Sequence, residues 1–203
     1  MKNLLFFALA GMIAFTSCNQ PKPVKTIADL KDGITGETTA SAKYAAFSQK
    51  AIEEGYDTIA KFFDAASKAE AIHAENHTKA LEEMGEKMDA FTPEFEVKTT
   101  AENLREAING ETYEIQKMYP QFLADAKEEK AEKAEKSFSW AFDTEKKHLQ
   151  FYQKAIEALE GGNESKLSFS YAVCPVCGNT YDANNVDEKC AFCQTGKDKF
   201  IFN

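Results

Sequence analysis

"EEGYDTIAKFFDAASKAEAIH", residues 53–73, recurs in outline as "EEKAEKAEKSFSWAFDTEKKH", residues 128–148, at a constant offset of 75. Both copies are rich in Ala, Glu and Lys, which are good helix formers. The offset lays Glu70 on Glu145 and His73 on His148. Residues three apart share one side of a helix, so each copy presents a carboxylate and an imidazole together. A charged stretch such as "KAEAIHAENH" (68–77) is ordinarily a solvated face. What matters is the direction in which the two pairs point.

Outward from the repeat, residues from about 27 to 160 read as helix with few breakers. Gly55 marks one turn, "EKMDAFTPEFEVKT" (86–99) with Pro93 reads as a longer connection, and Gly161 and Gly162 end the helical region. Four helices are expected, over 27–54, 57–85, 100–128 and 131–160. Two related helix pairs packed together make a four-helix bundle, so the fold class is mainly α. Lys130 stands where the first turn has Gly55, which predicts a different turn geometry there.

The apolar stripes decide the direction. They run Leu30, Ile34, Glu37, Ser41, Tyr44, Ser48; then Ile59, Phe63, Ala66, Glu70, His73, His77, Leu81. The third and fourth run Leu104, Ile108, Glu111, Ile115, Met118, Phe122, and Phe138, Phe142, Glu145, His148, Tyr152, Ile156. Each has helical spacing, and each carries an acid near its middle rather than opposite. Glu37 lies 18 residues before Gly55 and His73 lies 18 after it, so an antiparallel hairpin brings them to one level. That level is about 27 Å from the turn at the helical rise. Glu37, Glu70, His73, Glu111, Glu114, Glu145 and His148 should therefore converge at mid-bundle. Five buried carboxylates do not stay charged together without cations, and bound metal resolves the conflict. One Glu from each of two helices plus Glu-x-x-His from each of the other two is the di-iron carboxylate pattern. Oxygen and imidazole donors suit iron or manganese.

Near the C-terminus, "CPVCGNTYDANNVDEKCAFC" (174–193) sets Cys174, Cys177, Cys190 and Cys193 in two CxxC pairs, 12 residues apart. Such knuckles hold four thiolates around zinc or a single iron, and spacing alone favours a structural zinc ribbon. The fifth cysteine, Cys18, follows a basic start and the apolar run "LLFFALAGMIAF" (4–15). This is the layout of an export signal, too short for a comfortable membrane span. "FTSC" (15–18) resembles a bacterial lipobox, with Phe15 where Leu is usual. That resemblance implies lipidation of Cys18 and a membrane-anchored protein on the periplasmic or cell-surface side. Simple cleavage is the alternative, and a cytoplasmic protein follows if the signal goes unused. The boundaries expected are signal 1–17, tether 18–26, bundle 27–163 and thiolate domain 164–203. A net charge of −9 argues against nucleic acid as a partner.

"GETTASAKY" (36–44), "AEAIH" (69–73), "GETYEIQKMYP" (110–120), "TEKKH" (144–148) and the cysteine pairs together resemble rubrerythrins over residues 28–203. The resemblance implies a ferritin-like four-helix bundle followed by a small rubredoxin-like domain. It implies two non-haem irons in the bundle and, on the four cysteines, iron in preference to zinc. Glu114 and His73 would trade places on one iron with redox state, and Tyr44 and Tyr119 would hydrogen-bond to ligating carboxylates. Asn179 and Gln194 depart from the rubredoxin pattern, which has an aromatic and a glycine there. The implied function is reduction of hydrogen peroxide, with electrons from an unnamed donor protein passing through the Fe(Cys)4 centre. In that family a partner subunit's rubredoxin domain faces the bundle, so a homodimer is expected. Rival readings are a ferroxidase handling iron and a non-enzymatic metal-binding module with zinc in the ribbon. His77, one turn beyond His73, is expected to pack or support rather than to ligate.

Overall fold

The structure, a computed structural model, describes residues 21–203; the expected signal peptide and Cys18 lie outside them. Four long helical segments form the bundle: α1 (Val24–Glu53), α2 (Asp57–Glu83), a third built of α3 (Thr100–Tyr113) and α4 (Tyr119–Glu128), and α5 (Glu132–Glu160). Among the described residues no helix is long and apolar enough to cross a membrane.

α1 begins at Val24, three residues before the expected start, so residues 24–26 belong to the bundle and not to a tether. The reason is a cap supplied from far along the chain. Glu129 accepts from the Lys25 and Thr26 backbone N–H groups and from the Thr26 hydroxyl, at 3.1, 2.8 and 2.7 Å. An orphan helix N-terminus is thereby satisfied by a residue that no local pattern points to. α3 carries its own capping box, with Thr99 and Glu102 each accepting from the other's backbone.

Gly55 and Lys130 both adopt left-handed φ, +84° and +57°. The two hairpin turns thus share a handedness, against the difference expected from their sequences. Lys130 accepts a conformation that glycine takes freely.

The segment 86–99 is an irregular crossover. It lets α3 start beside the C-terminal end of α1, where the Thr100 N–H donates to Glu54 at 2.9 Å. One long crossover between two hairpins is a known way to build such a bundle.

Between α3 and α4 the helix widens into a π turn, Glu114–Met118. Pro120 has no N–H to offer the Gln116 carbonyl, and its ring crowds that carbonyl in a regular α-helix. The wider turn relieves both problems. It also absorbs one extra residue: Glu37 and Tyr44 are seven apart, whereas Glu111 and Tyr119 are eight apart. The two halves stay in register despite the difference.

Packing divides the interior into two apolar ends. Tyr44, Phe47, Phe62, Phe63, Leu104 and Tyr152 fill the end near Gly55. Leu30, Ile34, Leu81, Tyr119, Phe122 and Phe138 fill the other. The buried acids lie between them.

Residues 161–203 form a small domain with an antiparallel sheet in the order β2-β1-β3, from β1 (Tyr171–Val173), β2 (Thr180–Asp182) and β3 (Ile201–Phe202). Tyr171 packs on Phe62 and Phe151 of the bundle, with ring centroids 5.1 and 5.5 Å apart. The Asn203 amide donates to the Lys61 carbonyl and to Asp64. The domain is therefore seated on α2 and α5 of its own chain.

Candidate metal centre

At mid-bundle, two groups of side chains each bring their donor atoms within 4.8 Å of one another: Glu37, Glu70, His73 and Glu145, and Glu70, Glu111, Glu145 and His148. All six side chains are at most 1% exposed. Glu70 and Glu145 belong to both groups. The Glu70 oxygens lie 2.9 Å from His73 Nδ1 and 3.1 Å from His148 Nδ1. Those of Glu145 lie 2.9 and 2.8 Å from the same two nitrogens. Glu37 and Glu111 each serve one half, at 3.9 Å from His73 and 4.0 Å from His148.

The donor atoms have no hydrogen-bond partners. Both oxygens of Glu70 and of Glu145, one each of Glu37 and Glu111, and Nδ1 of both histidines are buried and unsatisfied. Buried polar atoms rarely go unpaired, and a set aimed at two common points has the geometry of a dinuclear ligand shell. Electrostatics agrees. Burial pushes Glu37 up to about 8, and burial with the neighbouring Glu145 pushes Glu111 well above the carboxylate range. Burial opposes charge on Glu70 as well, but the two imidazoles, His148 foremost, hold it at about 2. The protein alone must retain protons at this site, whereas cations would replace them.

Two tyrosines flank the cluster. Tyr44 donates to Glu111 Oε1 at 2.8 Å, and Tyr119 donates to Glu37 Oε1. Burial, together with Glu111 for one and Glu37 for the other, pushes both phenols well above their ordinary range, so they stay protonated. Glu114 lies beside the cluster. It is half-buried on the π turn and belongs to neither donor group, while His73 belongs to one. Of the expected convergent set, six residues form the two donor groups; Glu114 lies outside both, yet burial and then Glu37, Glu111, Glu145 and Glu70 push its carboxyl well above the ordinary range. His77 is buried 3.1 Å from the Tyr119 hydroxyl and 2.6 Å from Ser137 Oγ.

The four cysteines converge in the small domain, with Sγ atoms of Cys174 and Cys193, and of Cys177 and Cys190, 3.4 Å apart. The two knuckles match: Gly178 N–H donates to Cys174 O and Gln194 N–H to Cys190 O. Gly178 and Gln194 both have left-handed φ, +80° and +63°, so Gln194 fills the glycine position in the same conformation. Asn179 is buried and donates to the Tyr181 hydroxyl at 2.7 Å and toward Cys190 Sγ at 3.6 Å. Its carbonyl oxygen accepts from Lys147 of α5 at 2.6 Å. The Asn179 departure thus supplies a polar link between the thiolate cluster and the bundle.

That link is one of several. The outer nitrogen of each site histidine faces the turn that follows Cys177. His148 Nε2 is 3.0 Å from Thr180 Oγ1, and His73 Nε2 lies where a Cβ on Gly178 would be. The two metal centres are therefore joined through one turn of backbone within a single chain. No periodicity marks this contact in the sequence.

A sequence model of rubrerythrin matches residues 29–156. Rubrerythrin-2 of Clostridium acetobutylicum is 33% identical over 172 residues, covering 84% of this chain and 92% of the relative. Nigerythrin of Nitratidesulfovibrio vulgaris is 36% identical over 183 residues, covering 86% and 85%. Among solved structures, nigerythrin in its fully reduced, all-ferrous state superposes with a TM-score of 0.78 at 32% identity, over 95% of this chain and 92% of that one. A bacterioferritin of Desulfovibrio desulfuricans, at 20% identity and a TM-score of 0.64 over 81% of this chain and 96% of its own, shares the fold. The cofactors that these donors hold are a di-iron site in the ferritin-like bundle and a single iron on the four thiolates of the rubredoxin-like domain. By the match across its bundle and by these relatives, the chain belongs to the rubrerythrin family.

Proposed function

We propose that the protein reduces hydrogen peroxide to water, drawing electrons through the four-thiolate iron. As a member of its family it is an iron-dependent oxidoreductase of oxidative-stress defence; the oxidant and the electron route are the finer reading. The observation that carries it is the contact of the Gly178–Thr180 turn with both site histidines. A one-electron centre placed against a dinuclear cluster suits repeated turnover, whereas iron storage has no use for it.

Glu37, Glu70, His73, Glu111, Glu145 and His148 would hold the iron pair. When bound, that pair supplies two electrons and polarises both oxygens of the peroxide. The reaction consumes one peroxide, two electrons and two protons and yields two waters. Tyr44 and Tyr119 hold hydroxyl protons against Glu111 and Glu37, placing general acids beside two carboxylates that would hold the iron pair. The aromatic ends of the bundle keep bulk water from the site. Glu114, on the π turn beside the cluster, would exchange with His73 as the redox state changes.

The test is to reduce the protein without air and add peroxide or O2. Peroxide should oxidise the bundle iron faster; faster oxidation by O2 would turn the assignment to a ferroxidase. Glu114→Ala should keep bundle iron yet slow peroxide oxidation about 100-fold. Full activity in that variant would end the exchange proposal.

We also propose that Cys18 is lipidated after export, from the basic-then-apolar start and "FTSC" (15–18). Labelled fatty acid should enter the wild type and not Cys18→Ala; equal labelling of both would exclude it. A homodimer is proposed too, since two chains exchanging thiolate domains would preserve every contact made here within one chain. A monomeric mass by sedimentation would remove it.

A further inference from the structure

The repeat that builds the bundle also relates positions around the two tyrosines. At the same offset of 75, Tyr44 corresponds to Tyr119, Tyr152 to His77, and Phe62 to Ser137. In the first half the three rings pack in order, tilted against one another, Tyr44 and Tyr152 at 5.5 Å and Tyr152 and Phe62 at 4.5 Å. The Tyr152 hydroxyl there has no hydrogen-bond partner. That half is dry. In the second half the same three places hold a hydroxyl, an imidazole and a hydroxyl, joined at 3.1 and 2.6 Å. Ring packing at the equivalent positions shows that the fold does not require an imidazole and a serine hydroxyl there.

The donors in this chain all point one way. Tyr119 donates to the Glu37 carboxylate, so its oxygen must accept from His77 Nε2–H. A neutral imidazole then has a bare Nδ1, which accepts from the Ser137 hydroxyl. Burial, then the nearby His73, holds His77 down to about 3, so it stays neutral and keeps one donor and one acceptor. The outer end, Ser137, is 5% exposed and borders the surface. Ser137 lines a surface hollow of about 220 Å³ between α2 and α5, beside Asn76, Lys79, Lys133, Lys136 and Trp140. Gly33 makes room for the wire: a Cβ there would stand 3.0 Å from His77 Cδ2.

We propose that Ser137, His77 and Tyr119 form a proton wire from this hollow to Glu37 at the iron cluster, with His77 as its central relay. It rests on the peroxidase reading, whose two protons it delivers. Ser137 passes its proton to His77 Nδ1, His77 passes the Nε2 proton to the Tyr119 oxygen, and Tyr119 passes its own to Glu37 Oε1. Water in the hollow refills Ser137, and hydroxyl rotation with tautomer exchange resets the wire. Each pass brings one of the two protons that leave with the peroxide oxygens as water; the electrons come from iron.

Ser137→Thr and Ser137→Val are isosteric and differ only in the hydroxyl, so a packing role affects both alike. In pre-reduced protein, Thr should keep the wild-type rate of peroxide oxidation. Val should slow it about 100-fold and raise the solvent deuterium isotope effect. Equal rates for Thr and Val overturn the wire, whereas a wild type that peroxide fails to oxidise overturns the peroxidase reading instead. A second readout needs no turnover. With diamagnetic zinc in place of iron, the nitrogen NMR shifts of His77 should show Nε2 protonated and Nδ1 bare. The opposite tautomer overturns the wire whatever the oxidant.

Discussion

Glu70→Ala is expected to empty the bundle of both irons while leaving the thiolate iron in place. Glu70 is not one ligand among six of equal weight. Its two oxygens reach His73 Nδ1 and His148 Nδ1, and it belongs to both donor groups, so its loss opens both metal positions at once. Metal analysis should fall from about three irons per chain to about one, by the count of two carboxylate-bound and one thiolate-bound iron. The visible bands of a ferric tetrathiolate should persist. Stability of the metal-free protein should fall as well, by about 3 kcal/mol in a urea titration, because two buried imidazoles lose a carboxylate partner. Retention of two bundle irons would show that Glu70 is no bridging ligand. Glu37→Ala makes the useful contrast: Glu37 serves one group only, and its loss should spare the position formed by Glu70, Glu111, Glu145 and His148.

How much of this site can be read from residue order depends on what kind of signal each part leaves. Glu70, His73, Glu145 and His148 are legible because they interrupt apolar stripes and because duplication repeats them at one offset. Tyr44 and Tyr119 are legible through a family resemblance, and both do contact cluster carboxylates. The π turn leaves a fainter trace. A spacing of seven between Glu37 and Tyr44 against eight between Glu111 and Tyr119 implies one residue to be absorbed, and Pro120 says where. Helical periodicity places Glu114 in the cluster, whereas it begins the π turn and lies beside the two donor groups. The start of α1 is not legible locally, since its cap comes from Glu129, 103 residues from Thr26. His77 is invisible as a relay for a similar reason. Its partners Tyr119 and Ser137 lie on two other helices, and each pair is more than 40 residues apart in sequence. Periodicity reports which face is buried; it does not report which buried polar groups touch.

The seating of the thiolate domain belongs to that second kind, and Gly178→Ala tests what it does. Gly178 has φ +80°, where an alanine costs about 1–2 kcal/mol in backbone strain alone. The added Cβ would also overlap the His73 imidazole and stand 3.1 Å from the Ala69 carbonyl oxygen. Neither neighbour can yield cheaply: the imidazole is fixed by its inner nitrogen in the cluster, and Ala69 O is helix backbone. The knuckle must lift from α2, carrying Cys174 and Cys177 with it. Their iron should remain bound, because the knuckle hydrogen bond from Gly178 N–H to Cys174 O survives a rigid displacement. When fully reduced protein meets peroxide, the bundle iron should oxidise at the wild-type rate. The ferric tetrathiolate bands should then grow about 100-fold more slowly, since positioning lost by about an ångström carries penalties of that order. Unchanged growth of those bands would mean that electrons do not cross at the Gly178–Thr180 turn, and the route through the site histidines would have to be abandoned.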